Sequence, residues 1–148
     1  MGLRDALRGR RAYFDTNVFV YLLEGFPSLE SELREIKDCI LDGEAIVTSE
    51  LTICEALVKP FRANDAKLVL TYRQFIEESG AVQLLPTSRD IYFRAALYRA
   101  QFGLKTPDAI HVATAIEAGC DIFLSNDRKL KAPQGLRIVP LGGFGSQT

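Results

Sequence analysis

Short apolar runs alternate along the chain with longer stretches of helical period, and this rhythm predicts an α/β architecture. Ala12–Phe14, Ala45–Thr48, Val82–Leu85, Ile122–Ser125 and Arg137–Val139 are short and mostly β-branched or aromatic. Each gives way to turn or cap residues, so they are expected as five strands. Between them, helical spacing runs over Val18–Leu23, Leu29–Leu41, Glu50–Val58, Ala63–Ser79, Arg89–Phe102 and Pro107–Ala118. Ser49 precedes the helix carrying Glu55, which is expected to stop before Pro60. Thr106-Pro107 supplies a cap and a first-turn proline to the helix that ends at Gly119. Such alternation predicts a central parallel sheet reached by right-handed crossovers and flanked by helices on both faces.

The 148 residues suit one domain able to bury its own core, with 1–10 expected as an N-terminal extension and the glycine-rich 141–148 as a flexible tail. A chain that is 47% hydrophobic and 25% charged has the composition of an ordinary globular protein. The net charge of −1 carries no strong basic excess of the kind that displaces counterions from phosphates. Its distribution is uneven, with acids dominating Glu24–Glu55 and basic residues gathered near both ends. Cys39, Cys54 and Cys120 are odd in number and set in apolar sequence, so neither a disulfide framework nor a thiolate metal site is expected. No stretch reaches the roughly 20 apolar residues that span a bilayer. These features place the protein in the cytoplasm.

Candidate chemistry lies in four acids. Asp15 ends the first strand in Tyr-Phe-Asp-Thr-Asn, and Asp127 follows the fourth in Leu-Ser-Asn-Asp. Both should reach the carboxyl edge of the sheet, where open α/β folds bind ligands. Asp108, in the first turn of its helix, and Glu55, in the helix after the second strand, are able to project to the same edge. Asp15 and Asp108 also suit helix N-termini, where a carboxylate meets free N–H groups. Gathered carboxylates raise one another's pKa unless a cation compensates, and their hard oxygens suit Mg²⁺ or Mn²⁺. Asn17 and Ser125 are candidates for holding a carboxylate or a metal-bound water. Arg128 and Lys129 are candidate contacts to flanking phosphates. His111, the only histidine, stands one helical turn after Asp108, but a lone histidine in an apolar helix is more often structural.

The segments around Asp15 (Tyr-Phe-Asp-Thr-Asn-Val-Phe-Val-Tyr-Leu-Leu), Glu55 (Ser-Glu-Leu-Thr-Ile-Cys-Glu-Ala-Leu), Asp108 (Thr-Pro-Asp-Ala-Ile-His-Val-Ala-Thr-Ala) and Asp127 (Leu-Ser-Asn-Asp-Arg-Lys-Leu) together resemble the PIN-domain ribonucleases. Size and order look most like the VapC toxins of type II toxin-antitoxin systems, over nearly the whole chain. The resemblance implies an endoribonuclease dependent on Mg²⁺ or Mn²⁺, with Asp15, Glu55, Asp108 and Asp127 as its acidic quartet. Asp15 and Asp108 would be the direct metal ligands, and Glu55 and Asp127 would act directly or through water. It further implies RNA as substrate, a homodimer, and an antitoxin whose peptide lies over the active site.

Three other functions share parts of this pattern. PIN domains also process RNA without being toxins, and a catalytically silent member would serve as a binding or regulatory module. A phosphatase of the haloacid dehalogenase type also carries an aspartate after its first strand, but expects a second two residues later, where this chain has Asn17.

Overall fold

A computed structural model of the chain describes residues 2–143. Strands β1 (Ala12–Phe14), β2 (Ile46–Ser49), β3 (Val82–Leu85), β4 (Ile122–Ser125) and β5 (Arg137–Pro140) form one sheet in the order β3-β2-β1-β4-β5. Every neighbouring pair is parallel. The α/β expectation holds, and each strand starts and ends within one residue of its expected bounds.

Helices α1 (Leu3–Leu7), α2 (Thr16–Glu24), α3 (Glu30–Leu41), α4 (Leu51–Arg62) and α5 (Ala66–Arg73) cover one face. Helices α6 (Arg89–Phe102) and α7 (Thr106–Glu117) cover the other. Alternate residues of one strand serve the two layers: Ala12 and Phe14 join the α1–α5 core, whereas Tyr13 packs with Phe123 against α6 and α7. Phe19 and Phe123 are fully buried, which contributes about 1.5–3 kcal/mol each in the hydrophobic account.

From β1 the chain moves outward to β2 and β3, then returns across the sheet to β4 and β5 on the other side of β1. Crossovers of one hand that reverse direction must change face, which is why α6 and α7 lie opposite the earlier helices. The reversal leaves a crevice between the carboxyl ends of β1 and β4, the position at which open α/β sheets bind ligands.

Several boundaries differ from expectation. Within residues 1–10, α1 buries Leu3 and Leu7 in the core beside α3. Helix α4 does not stop before Pro60 but continues to Arg62. A proline removes one helical hydrogen bond, and here the buried Pro60 ring stays in the helix while Asp65 N–H satisfies the Pro60 carbonyl at 3.0 Å. The next helix begins at Ala66 rather than Ala63, because Asn64 takes a left-handed φ of 53° and Asp65 caps the Leu68 N–H at 3.0 Å. That helix then widens into a π turn over Gln74–Glu78. Of the expected tail, Leu141–Gly143 form a 3₁₀ turn with Leu141 buried, and residues 144–148 lie outside those described. Among the described residues no helix is long and apolar enough to cross a membrane.

Candidate active site

Asp15 is the first residue beyond β1. Its N–H still donates to the Leu124 carbonyl at 3.0 Å, so the sheet holds it, while its extended backbone opens α2 as the N-cap. The side chain lies in a nest of donors, and the residue is only 7% exposed. Thr16 N–H donates to Oδ1 at 2.9 Å, the Ser125 hydroxyl donates to Oδ2 at 2.7 Å, and the Asn17 amide approaches Oδ2 at 3.5 Å. A buried carboxylate is tolerated only with such partners.

Asn17 and Ser125, the two polar residues expected to support an acid, both sit on Asp15. Asn17 also donates to Ser125 Oγ at 3.3 Å and accepts the Asn126 N–H at 3.2 Å, tying α2 to the loop after β4. In that loop Ser125 Oγ accepts the Asp127 N–H at 3.1 Å, and Asp127 Oδ1 accepts the Lys129 N–H at 2.9 Å. Asp127, Arg128 and Lys129 are exposed. The Arg128 guanidinium lies over the backbone of Gly142, where a Cβ would come within 3.0 Å of it. Neither Arg128 nor Lys129 forms an ion pair among the described residues.

Glu55 reaches the crevice from the second turn of α4. Its Oε1 accepts the Thr16 hydroxyl at 2.7 Å and the His111 Nε2 at 2.5 Å. Burial pushes its carboxyl up, but the hydrogen bond and favourable field of the His111 imidazole, with the Thr16 bond, outweigh it and hold the group below its ordinary value. Asp108, half-buried in the first turn of α7, is the opposite case. Burial raises its carboxyl, and the charges of Asp15, Asp127 and Glu55 raise it further against a smaller opposing effect of His111. No hydrogen bond reaches its carboxylate among the described residues. The four acids therefore share one electrostatic neighbourhood.

His111 is the residue that sequence reasoning set down as structural, and the structure places it between two acids. It is 1% exposed, with Nε2 3.9 Å from Asp15 Oδ1 and 3.3 Å from Thr16 Oγ1 as well as bonded to Glu55. Its other nitrogen, Nδ1, meets the Tyr13 hydroxyl at 2.5 Å. Burial lifts the Tyr13 phenol well above its ordinary value, so it keeps its proton. Thr16 and Tyr13 were missed as well. The signal for His111 was its spacing, since residues three apart share one face of a helix. Tyr13 and Thr16 flank the first acid but carry no motif.

The oxygen-rich donor set suits a hard divalent cation. Cys39 and Cys120 are buried as small core residues and Cys54 is exposed, so no thiolate cluster competes. Among the described residues, no three His, Cys, Asp or Glu side chains are already gathered into a ligand cluster. The raised Asp108 carboxyl is the observation that fits a cation, because positive charge at this edge would favour the ionised form that its neighbours disfavour.

Three solved structures share the fold. One is a toxin-antitoxin complex from Klebsiella pneumoniae, 24% identical over 84% of this chain and 94% of that chain, with a TM-score of 0.62. Another is VapBC2 from Rickettsia felis bound to a DNA fragment from their promoter, 13% identical over 87% and 97%, with a TM-score of 0.68. A protein from Pyrobaculum aerophilum is 18% identical over 89% and 91%, with a TM-score of 0.58. No curated protein matches the chain. The family model of the PIN domain, however, matches residues 12–136, a span that begins at β1 and runs past all four acids. A match over that much of the sequence, on a sheet whose switch point carries the acids, makes this chain a member of the PIN domain family.

Proposed function

We propose that this protein is a metal-dependent endoribonuclease and the toxin of a type II toxin-antitoxin pair. The observation that carries the nuclease reading is the Asp108 carboxyl, raised by burial and by Asp15, Asp127 and Glu55 around the β1–β4 crevice. In this reading Asp15 and Asp108 hold Mg²⁺ or Mn²⁺, with Glu55 and Asp127 contributing directly or through water. The cation, when bound, supplies a water of lowered pKa and neutralises charge on the phosphate.

The protein's own residues do the rest. Ser125 and the Thr16 N–H hold the Asp15 carboxyl in place, and Asn17 holds the Asp127 loop against α2 through Asn126. Thr16 and His111 anchor one oxygen of Glu55, leaving Oε2 toward the crevice to accept a proton or orient a water. Arg128 and Lys129 meet flanking phosphates. Nothing in this scheme needs a nucleophilic side chain, in keeping with hydrolysis rather than transfer to the protein.

The toxin reading is supported by fold likeness to two toxin-antitoxin structures. An antitoxin and a second copy of the chain are the partners it entails, with a cytoplasmic location. Exposed apolar side chains offer two surfaces for them, one at Phe61 and Leu70 and the other at Tyr92, Phe93 and Leu97.

The test is cleavage of RNA with Mg²⁺ or Mn²⁺ by wild type, Asp15→Asn and Asp108→Asn. Both substitutions are expected to lower kcat by about 10²-fold or more, and chelator should abolish cleavage. Activity that survives both substitutions or ignores chelator would overturn the nuclease reading. Expression that arrests growth, relieved by the product of a neighbouring short reading frame, is expected of a toxin; growth unaffected by an active nuclease would leave an RNA-processing enzyme instead.

A further inference from the structure

The buried path Tyr13–His111–Glu55 runs from the inside of the sheet to the crevice, and the nuclease scheme uses only its last two members, leaving Tyr13 without a role. Its polarity follows from the partners. Ser49 N–H donates to Tyr13 Oη at 3.1 Å, which occupies a lone pair of the phenol and leaves its proton to be placed. The nearest acceptor is His111 Nδ1 at 2.5 Å. With Nδ1 accepting, the imidazole proton sits on Nε2 and donates to Glu55 Oε1, also at 2.5 Å. Tyr13 is itself immobile: it is fully buried, its ring stacks on Phe123 with centroids 5.0 Å apart, and β1 is flanked by β2 and β4.

We propose that Tyr13 and His111 are positioning residues that lock one imidazole tautomer and thereby fix the Glu55 carboxylate by Oε1, presenting Oε2 to the crevice. A glutamate at the end of a helix-borne side chain has three rotatable bonds and, with a third of its side chain exposed, would otherwise sample several rotamers. Two donors on one oxygen, Thr16 from α2 and His111 from α7, remove that freedom and leave the second oxygen without a protein partner among the described residues. The same imidazole stands between Glu55 and Asp15, 3.9 Å from the latter, so it also spaces the two acids. The inference rests on the proposed metal-dependent nuclease, because only there does the direction of a single carboxylate oxygen matter.

Because the chain has one histidine, ¹⁵N spectra of histidine-labelled wild type report His111 alone. The expected result is a proton on Nε2 and an unprotonated Nδ1; a proton on Nδ1 overturns the proposal whatever the variants do. Tyr13→Phe keeps the buried ring and removes only the hydroxyl. It is expected to mix the tautomers, weaken Mn²⁺ binding measured by titration of the metal alone roughly 10-fold, and lower kcat while leaving KM for RNA unchanged. His111→Leu should weaken Mn²⁺ binding by about 10- to 100-fold, and His111→Gln, which returns an N–H near the Nε2 position, should recover most of that loss. Folded variants that bind Mn²⁺ as wild type does sink the proposal while the nuclease stands. If wild type itself neither binds Mn²⁺ nor cuts RNA, the nuclease reading fails and takes this inference with it.

Discussion

The two sides of the crevice are built on opposite principles. On the β1–β4 side, Asp15 is almost wholly buried and receives a backbone N–H and a serine hydroxyl. Across from it, Asp108 in the first turn of α7 has no donor on its carboxylate among the described residues and feels three other acids. A charge supplied with hydrogen bonds is a structural element even before it does chemistry. A charge left to the field of its neighbours is a cost to the fold that only a cation or a proton relieves. Two acids proposed for the same ion are thus treated differently by the chain that carries them.

The largest effect that could break this comparison is in the stability of the two amide variants measured without metal. Asp15→Asn turns accepting oxygens into a mixed amide facing fixed donors and is expected to destabilise by about 1–3 kcal/mol. Asp108→Asn, which removes repulsion, is expected to raise Tm by roughly 2 °C at neutral pH. Thermal melts that move in the same direction for both would dissolve the contrast.

The pH dependence gives the contrast a sign. The folded pKa of Asp108 lies above its unfolded value, so the native state binds more protons between the two. Its penalty is absent below the ordinary carboxylate range and grows as pH rises through the folded value. The gain from Asp108→Asn should therefore vanish in acid. Glu55 is the reverse, with a folded pKa held down, so its contribution is present above the ordinary carboxylate range and lost as pH falls. Melts of Glu55→Gln and Asp108→Asn across acid pH should accordingly converge on wild type from opposite sides.

A smaller effect is expected from Ser125→Ala. The fully buried hydroxyl donates to Asp15 and accepts from the Asp127 N–H, so its loss should cost about 0.5–1.5 kcal/mol in urea unfolding, with a fall in kcat as Asp15 loosens. A variant as stable as wild type would mean that Asp15 is held by the backbone alone. The smallest effect belongs to Arg128→Ala and Lys129→Ala, exposed and free of ion pairs among the described residues. Roughly a two- to fivefold rise in KM for RNA, with kcat unchanged, is the scale of exposed charges. The salt dependence of binding should flatten by about 0.7 in slope for each phosphate that is no longer neutralised; unchanged slopes would remove both residues from the substrate path.

The sheet was legible because its strands are buried and their residues announce it. Ile46, Val47, Ile122, Phe123 and Leu124 are almost fully enclosed, and no alternative element accommodates such short apolar runs between caps. Helix ends were harder. Pro60 reads as a stop, yet burial of its ring outweighs one missing hydrogen bond, and the start of α5 depends on a left-handed Asn64 that no periodicity announces. At the site, the four candidate acids stand out by their places along the chain, Asp15 and Asp127 after strands, Asp108 in a first turn and Glu55 in the helix after β2. The partners that orient them do not: Thr16, Tyr13 and His111 come from α2, β1 and α7 and meet only through tertiary packing. Spacing along the chain encodes which residues share an element, not which hydroxyl faces which ring across the sheet.

The strand order carries a consequence for synthesis. Domains of this size begin to organise from the N-terminus as the chain emerges, and β1, β2 and β3 are adjacent in both sequence and space. A ribosome that has released only this first part has displayed Asp15 and Glu55 without Ser125, His111 or Asp108, which belong to later elements. Asp15 then lacks its hydroxyl donor and Glu55 its imidazole, so an unfinished polypeptide carries half a crevice. The return of the chain across β1 thus sets an order: the edge is completed only once β4 is available to pair with β1.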